Sequence, residues 1–203
     1  MKTIIYIIRH AKSIANENGL FGGITDYELS KEGLQQADNL AIRLKNYEID
    51  NIYSSPLKRA IQTITPTSIM KNKKIIIVDD LREINVGTWE NILRDELRIK
   101  YPKENKYIDE TEYYCGMIGQ EETIDVANRM FNSIQKLAED NIDKSIIITS
   151  HIVAIRAFLC KILGIPFEQT KEKLGNLGNT SITKVIYDNN AKRFEVIELN
   201  NMN

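Results

Sequence analysis

Residues 3–8 read TIIYII and residues 145–149 read SIIIT, and neither run alternates apolar with polar side chains. A strand with one wet face alternates, because successive side chains point to opposite faces. Strands buried on both faces read as continuous β-branched runs, the pattern of a parallel sheet covered by helices. Two more short runs, around Asn51–Tyr53 and at 75–78 (IIIV), fit the same reading. Between the runs, apolar residues recur at three-and-four spacing. Leu34, Ala37, Leu40, Ala41 and Leu44 follow a capping Ser30, and Ala127, Met130, Phe131, Ile134, Leu137 and Ala138 share one face of 123–140. Ser55 is placed to cap a further helix and Pro56 to begin it. A helix over 153–163 ends at Gly164, with Pro166 shortly behind. SITKVIY and RFEVIEL close the chain as a hairpin around DNNAK. The expectation is an α/β fold, a mostly parallel central sheet flanked by helices on both faces. Residues 1–203 read as a single domain. The charged, tyrosine-bearing and weakly periodic segment 91–120 reads as a small inserted cap over one edge.

Composition narrows the class. Lysine plus arginine (27) nearly cancels aspartate plus glutamate (28), so no basic excess points to nucleic acid. The opening MKTIIYIIRH is too short to span a membrane. Arg9 and His10 interrupt it and no small-residue cleavage site follows, so it reads as a strand and the expected compartment is cytoplasmic. Cys115 and Cys160 show neither a disulfide framework nor zinc-site spacing.

The chain holds two histidines, His10 and His151, and each stands just past the end of a β-branched run. Ligands of open α/β sheets collect beyond the carboxyl ends of strands, so one crevice accommodates both imidazoles. A single histidine in such a place is more often a hydrogen-bonded structural residue; the repeated placement favours chemistry. Arg9 adjoins His10, and Arg59 follows closely on the strand ending at Ser54-Ser55. Guanidinium donates in a planar fork that suits an oxyanion with several oxygens, phosphate above all. Arg156 is expected on the outer side of the next helix, paired with a surface acid. The sequence has no GxxxxGK[ST], no GxGxxG and no metal-ligand cluster, so neither metal nor cofactor is expected. Phosphate chemistry without those parts leaves a histidine nucleophile as a remaining route.

Five segments then resemble, in order, the motifs of the histidine phosphatase superfamily, the phosphoglycerate mutase-like proteins. They are RHAKSIAN, GGITDYELSKEGLQQA, YSSPLKRAIQT, LREINVGTWEN and SHIVAIR, with NTSIT near Asn179 resembling the C-terminal core strand. The resemblance covers nearly the whole chain and implies a phosphoglycerate mutase-like fold. It implies His10 as the nucleophile, with Arg9, Arg59 and His151 around the phosphoryl oxygens. It also implies Asn16 and Gly23 in phosphate or substrate binding, Glu83 as the acid that protonates the leaving oxygen, and Glu90 as a structural support. Four positions depart from the pattern. Ala11 and Ile152 each replace a glycine that follows a histidine, and the β-branched Ile152 is expected to narrow the pocket. Lys12 replaces an acid, its charge either near the phosphate or in solvent, and Asn91 replaces the last glycine of GxWEG.

The activity implied is metal-independent hydrolysis of a small phosphorylated metabolite through phosphohistidine. The alternatives are a cofactor-dependent phosphoglycerate mutase and, in another class, a non-catalytic phospholigand-binding or scaffold protein. A short chain with a compact insertion leaves water good access, which favours hydrolysis. Tyr101, Tyr107, Tyr113 and Tyr114 either wall the substrate or pack the insertion onto the core. The expected partner is a small phosphorylated metabolite, not nucleic acid or membrane, and the sequence leaves room for a homodimer.

Overall fold

The isoleucine-rich runs become neighbours in space. The computed structural model describes residues 1–111, 113–114 and 116–203. In chain order its elements are β1 (Lys2–Arg9), α1 (Ile14–Glu17), α2 (Lys31–Arg43), β2 (Asn51–Ser54), α3 (Lys58–Lys71), β3 (Ile75–Ile77), α4 (Arg94–Lys100), α5 (Pro102–Thr111), α6 (Thr123–Glu139), β4 (Ser145–Ser150), α7 (Ile152–Leu163), α8 (Thr170–Leu174), β5 (Ile182–Asp188) and β6 (Arg193–Asn201). One sheet runs β3-β2-β4-β1-β5-β6. Its first four strands are mutually parallel, and the closing β5–β6 hairpin adds antiparallel pairs against β1.

The absence of alternation has the expected cause. Ile5 and Ile7 of β1, with Ile146 and Ile148 of β4, join Val126, Met130 and Ile134 of α6 and Ala154 and Phe158 of α7 in one buried cluster. Ile8 and Ile147, on the other face, join Ile52, Leu40 of α2, Leu44 at its C-terminal cap and Ile64 of α3 in another. Each face of the strands therefore has its own helical layer. Burying one such side chain contributes about 1.5–3 kcal/mol, so a polar residue on either face opposes the fold.

Two local features place the chain near the strand ends. Ser30 caps α2 by accepting the Gly33 N–H at 3.1 Å, and its own N–H donates to Lys12 O at 2.9 Å. A Cβ on Gly33 would stand 1.9 Å from that Lys12 oxygen, so only glycine lets α2 lie against the loop after His10. Further on, α7 ends as expected, with Gly164 at φ 66°.

One helix start differs from its expectation. α3 begins at Lys58, with Leu57 rather than Ser55 at the cap. The Ser55 hydroxyl pairs instead with the His151 ring at 2.7 Å, a long-range partner that local capping rules do not see. Within 91–120, α4 and α5 lead into a loop. Leu97, Ile108, Tyr114 and Met117 belong to the same buried cluster as the sheet, so the segment is seated on the main core. Cys115 lies outside the described residues, and Cys160 is buried. No described helix is long and apolar enough to cross a membrane.

Candidate active site

β1 and β4 pair in parallel with Arg9 opposite Ser150, so both chains leave the sheet at the same level. His10 N–H donates to Ser150 O at 2.9 Å, and the His10 and His151 rings lie with centroids 5.1 Å apart. β2, on the other side of β4, delivers Ser55, and the first turn of α3 brings Arg59 over the same edge. The segment after β3 carries Glu83 in, with Leu81 O held by the Ser150 hydroxyl at 2.7 Å.

The partners of each ring decide its tautomer. His10 Nδ1 lies 2.7 Å from Ala11 O. A carbonyl only accepts, so Nδ1 carries the proton and Nε2 keeps a free lone pair. For His151 the assignment reverses. Arg59 Nε, which only donates, lies 3.2 Å from Nδ1, so the proton sits on Nε2 and points to Ser55 Oγ. Burial pushes the His10 pKa well below the ordinary 6.5, the charges of Arg59 and then Arg9 lower it further, and the Ala11 carbonyl opposes them. His151 is lowered in the same way, by burial first and then by Arg59, His10, Arg129 and Arg9. Both imidazoles are therefore neutral near pH 7.

This has a consequence for stability. Below the ordinary value of 6.5 the unfolded chain takes up protons on His10 and His151 that the folded chain refuses, so stability falls as pH drops. The slope approaches about 1.4 kcal/mol per pH unit for each histidine. The urea midpoint is expected to fall between about pH 7 and about pH 5.5, less steeply in His10→Asn. A midpoint flat over that interval would show that the folded imidazoles protonate freely.

Arg59 is largely committed before any ligand arrives. Besides His151, its Nη1 donates to Thr25 O at 2.8 Å and its Nη2 to Gly22 O at 3.2 Å and Gly23 O at 2.7 Å. Of five N–H donors this leaves one, on Nη1, for the pocket. Glu90 pins the same loop: Oε1 accepts from Ile24 N–H at 2.9 Å, and Oε2 from the N–H and hydroxyl of Thr25 at 3.1 and 2.6 Å. Gly23 fits between these layers, since a Cβ there would meet Glu90 Oε1 at 2.3 Å and Ile84 O at 2.4 Å. Gly23→Ala is expected to cost about 1–3 kcal/mol from overpacking. It should also loosen Arg59, seen together as a lower thermal midpoint and weaker inhibition by inorganic phosphate.

Glu83 is buried, its carboxylate tied to backbone. Oε1 accepts from Ile84 and Ala154 N–H at 2.9 and 3.0 Å, and Oε2 from Val153 N–H at 3.2 Å. Arg129 of α6 fixes the segment from behind. It donates to the carbonyls of Asp80, Arg82 and Glu83 at 2.6, 2.7 and 3.1 Å and is bidentate to Glu121 at 2.7 and 3.0 Å. Asn16 completes a capping box with Ser13 at the start of α1, its Oδ1 accepting the Ser13 N–H at 3.1 Å. That bond uses the amide oxygen and leaves the amide donors uncommitted.

Arg9, His10, Asn16, Gly23, Arg59 and Glu83 all line one pocket of about 70 Å³, several times the ~10–15 Å³ that one water needs. His151 is fully buried behind it, reaching Arg59. Ile152 is on the wall of the pocket and starts α7 without positive φ. Asn91 does adopt positive φ, 65°, which asparagine tolerates better than most residues; its side chain accepts the Tyr27 hydroxyl at 2.6 Å. Lys12 pairs with Glu32 at 2.5 Å rather than joining the pocket. Arg156 overturns its expectation: it is buried, donating to Gly175 O at 2.5 Å, because α8 and the chain beyond it cover that side of α7. Of the four tyrosines only Tyr114 lines the pocket, while Tyr101 packs on Trp89 and Tyr113 on Phe167. Phe21, Arg94 and Ser13 also line the pocket, and Ser55 supports it through His151. Ser13 and Ser55 fall within the motifs RHAKSIAN and YSSPLKRAIQT, whereas Phe21 and Arg94 have no local sequence signal.

A family model described as the histidine phosphatase superfamily (branch 1) matches residues 5–201. Phosphoserine phosphatase 1 of Hydrogenobacter thermophilus is 30% identical over 196 residues, covering 97% of this chain and 91% of that protein. Bacillus stearothermophilus YhfR superposes with a TM-score of 0.91 at 24% identity, over 99% of this chain and 98% of that one, a likeness of fold. The phosphoserine phosphatase of Entamoeba histolytica, solved in complex with 3-phosphoglyceric acid, gives 0.84 at 26% identity over 98% of each chain. The sheet and its helical layers are thus the phosphoglycerate mutase-like α/β arrangement.

Proposed function

The chain belongs to the histidine phosphatase superfamily, and we propose that this phosphatase hydrolyses small phosphomonoesters through a phosphohistidine on Nε2 of His10. The observation that carries the assignment is the His10 ring itself. It is buried, neutral and bonded through Nδ1 to a carbonyl, with its other nitrogen free at a pocket lined by Arg9 and Arg59.

In the first step the Nε2 lone pair attacks phosphorus in line and the bond to the ester oxygen breaks. The carboxyl group of Glu83 gives its proton to the departing alkoxide, so an alcohol leaves. Arg9, the remaining Nη1 donor of Arg59 and the Asn16 amide stabilise charge on the peripheral oxygens, as does the His151 Nε2–H now shared with Ser55. In the second step water attacks the phosphohistidine and Glu83 accepts its proton. The P–N bond breaks, the electron pair returns to Nε2, and inorganic phosphate departs. Neutral imidazole is the competent nucleophile, and the lowered pKa keeps it so into mildly acidic solution. Segment 91–120 acts as the cap in this reading, with Arg94 and Tyr114 its residues on the pocket wall. The cytoplasm is the compartment we assign.

The test is to mix the protein with a radiolabelled phosphomonoester in EDTA and quench within one turnover. Label that is acid-labile, alkali-stable and confined to the peptide bearing His10 is the expected result. Phosphate release with label on another residue, or no release, would overturn the assignment.

A further inference from the structure

The peptide group between His10 and Ala11 is gripped on both edges by side chains distant in the chain. Asn179 Nδ2 donates to its carbonyl at 2.8 Å, and its N–H donates to Thr63 Oγ1 at 2.8 Å. The next peptide group is held too. Ala11 O accepts the His10 Nδ1–H, and Lys12 N–H donates to Gln36 Oε1 at 2.9 Å. A buried N–H needs some partner, and secondary structure usually supplies it. Here side chains from α2, α3 and the loop before β5 serve consecutive groups instead.

Thr63 does more than satisfy a donor. It is fully buried on α3, and its hydroxyl proton goes to Arg59 O at 2.6 Å, which leaves a lone pair for Ala11 N–H. A helical threonine commonly bonds the carbonyl one turn back. The second bond is tertiary, and it ties the nucleophile's loop to the turn that carries Arg59. Asn179 stands next to Thr180, whose φ of 59° is rare for a β-branched residue. Thr180 N–H donates to Arg9 O at 3.0 Å, so this strained turn is fastened to the same strand end. Backbone strain of about 1–3 kcal/mol persists where the surroundings over-determine it, and it clusters at active sites.

We propose that Thr63 and Asn179 are positioning residues for the nucleophile: they fix the His10–Ala11 peptide, and through it the Ala11 carbonyl that holds the imidazole with its Nε2 lone pair aimed at phosphorus. This rests on the phosphatase reading above, and neither residue is among those lining the pocket. The path runs through the backbone. Fixing that peptide sets ψ of His10 and φ of Ala11, which together place Ala11 O against Nδ1. A loosened carbonyl lets the ring turn and lets the proton move to Nε2, where it blocks attack. A displacement of about 1 Å at a reacting atom costs on the order of 10²-fold in rate.

The experiment pairs turnover of p-nitrophenyl phosphate with nitrogen NMR spectra of the histidine rings in Thr63→Val, Thr63→Ser and Asn179→Ala. The chain holds two histidines, so a His10→Asn spectrum assigns the signals. Wild type is expected to show His10 as the Nδ1–H tautomer. Valine keeps the branched shape and deletes the hydroxyl. Thr63→Val should lower kcat/KM about 10–100-fold with inhibition by inorganic phosphate nearly unchanged, while His10 gains the Nε2–H tautomer. Serine keeps the hydroxyl, so Thr63→Ser should restore both the rate and the tautomer. Asn179→Ala, at a half-buried position, should show the same tautomer shift and carries the test if Thr63→Val does not fold. Wild-type kcat/KM with a pure Nδ1–H signal in a folded Thr63→Val or Asn179→Ala overturns the clamp while the phosphatase reading stands. Equal losses in Thr63→Val and Thr63→Ser overturn it in the same way. A wild type that releases no phosphate overturns the phosphatase reading, and the tautomer spectra then decide the clamp alone.

Discussion

His10→Ala is expected to lower kcat for every phosphomonoester by at least about 10⁴-fold, the scale seen when a covalent nucleophile is removed. Nothing else described at the pocket is placed to replace it. The nitrogens of His151 are both engaged, by Arg59 and by Ser55, and that ring is fully buried. The Ser13 hydroxyl, also on the pocket wall, is held within the capping box of α1. Arg9 and Arg59 stay anchored by the carbonyls of Leu177 and of the 22–25 loop, so the variant should still bind inorganic phosphate. Steady-state phosphate release, together with a phosphate titration and a thermal melt, checks all three. Turnover within tenfold of wild type in a folded variant would exclude phosphohistidine at this position.

Glu83→Gln is expected to lower kcat/KM about 10²–10⁴-fold on alkyl phosphates, the usual worth of a general acid. On p-nitrophenyl phosphate the loss of the first step should be much smaller, because that leaving group departs without a proton. Glutamine keeps the shape and an oxygen for the N–H groups of Ile84 and Ala154, which share Oε1, and gives up only the longer Val153 contact, so the fold should survive. The contrast between leaving groups separates proton transfer from a merely structural contribution. Arg129→Met should show a weaker form of the same contrast, since Arg129 only positions the segment through the carbonyls of Asp80, Arg82 and Glu83. Because the second step is common to both esters, the comparison is read in kcat/KM, which reports only the first step. Equal losses of kcat/KM on both esters in Glu83→Gln would remove Glu83 from the role of acid.

Much of the sheet was legible because its signals are local. An unalternating run such as TIIYII reports burial on two faces, and β1 and β4 extend the expected runs by only a residue or so. Ser30, Gly164 and the apolar stripe of α6 mark their helices through periodicity and capping, which act within a turn or two of chain. Even the meeting of His10 and His151 follows once both strands are parallel, since parallel strands present their carboxyl ends together.

What the sequence determined by itself, then, was the set of elements and the edge where the reactive groups gather, since both depend on the order of residues a few positions apart. Tertiary structure decided how each group is spent. Ser55 turned from a helix cap into a partner for His151, Arg59 gave most of its donors to the 22–25 loop, Arg156 went inside, and Arg94 came to rest on Phe21. Each outcome depends on a neighbour distant in the chain. Hydrogen bonds and charges act over a few ångströms, and which distant groups come that close is settled only when the loops close and the layers pack.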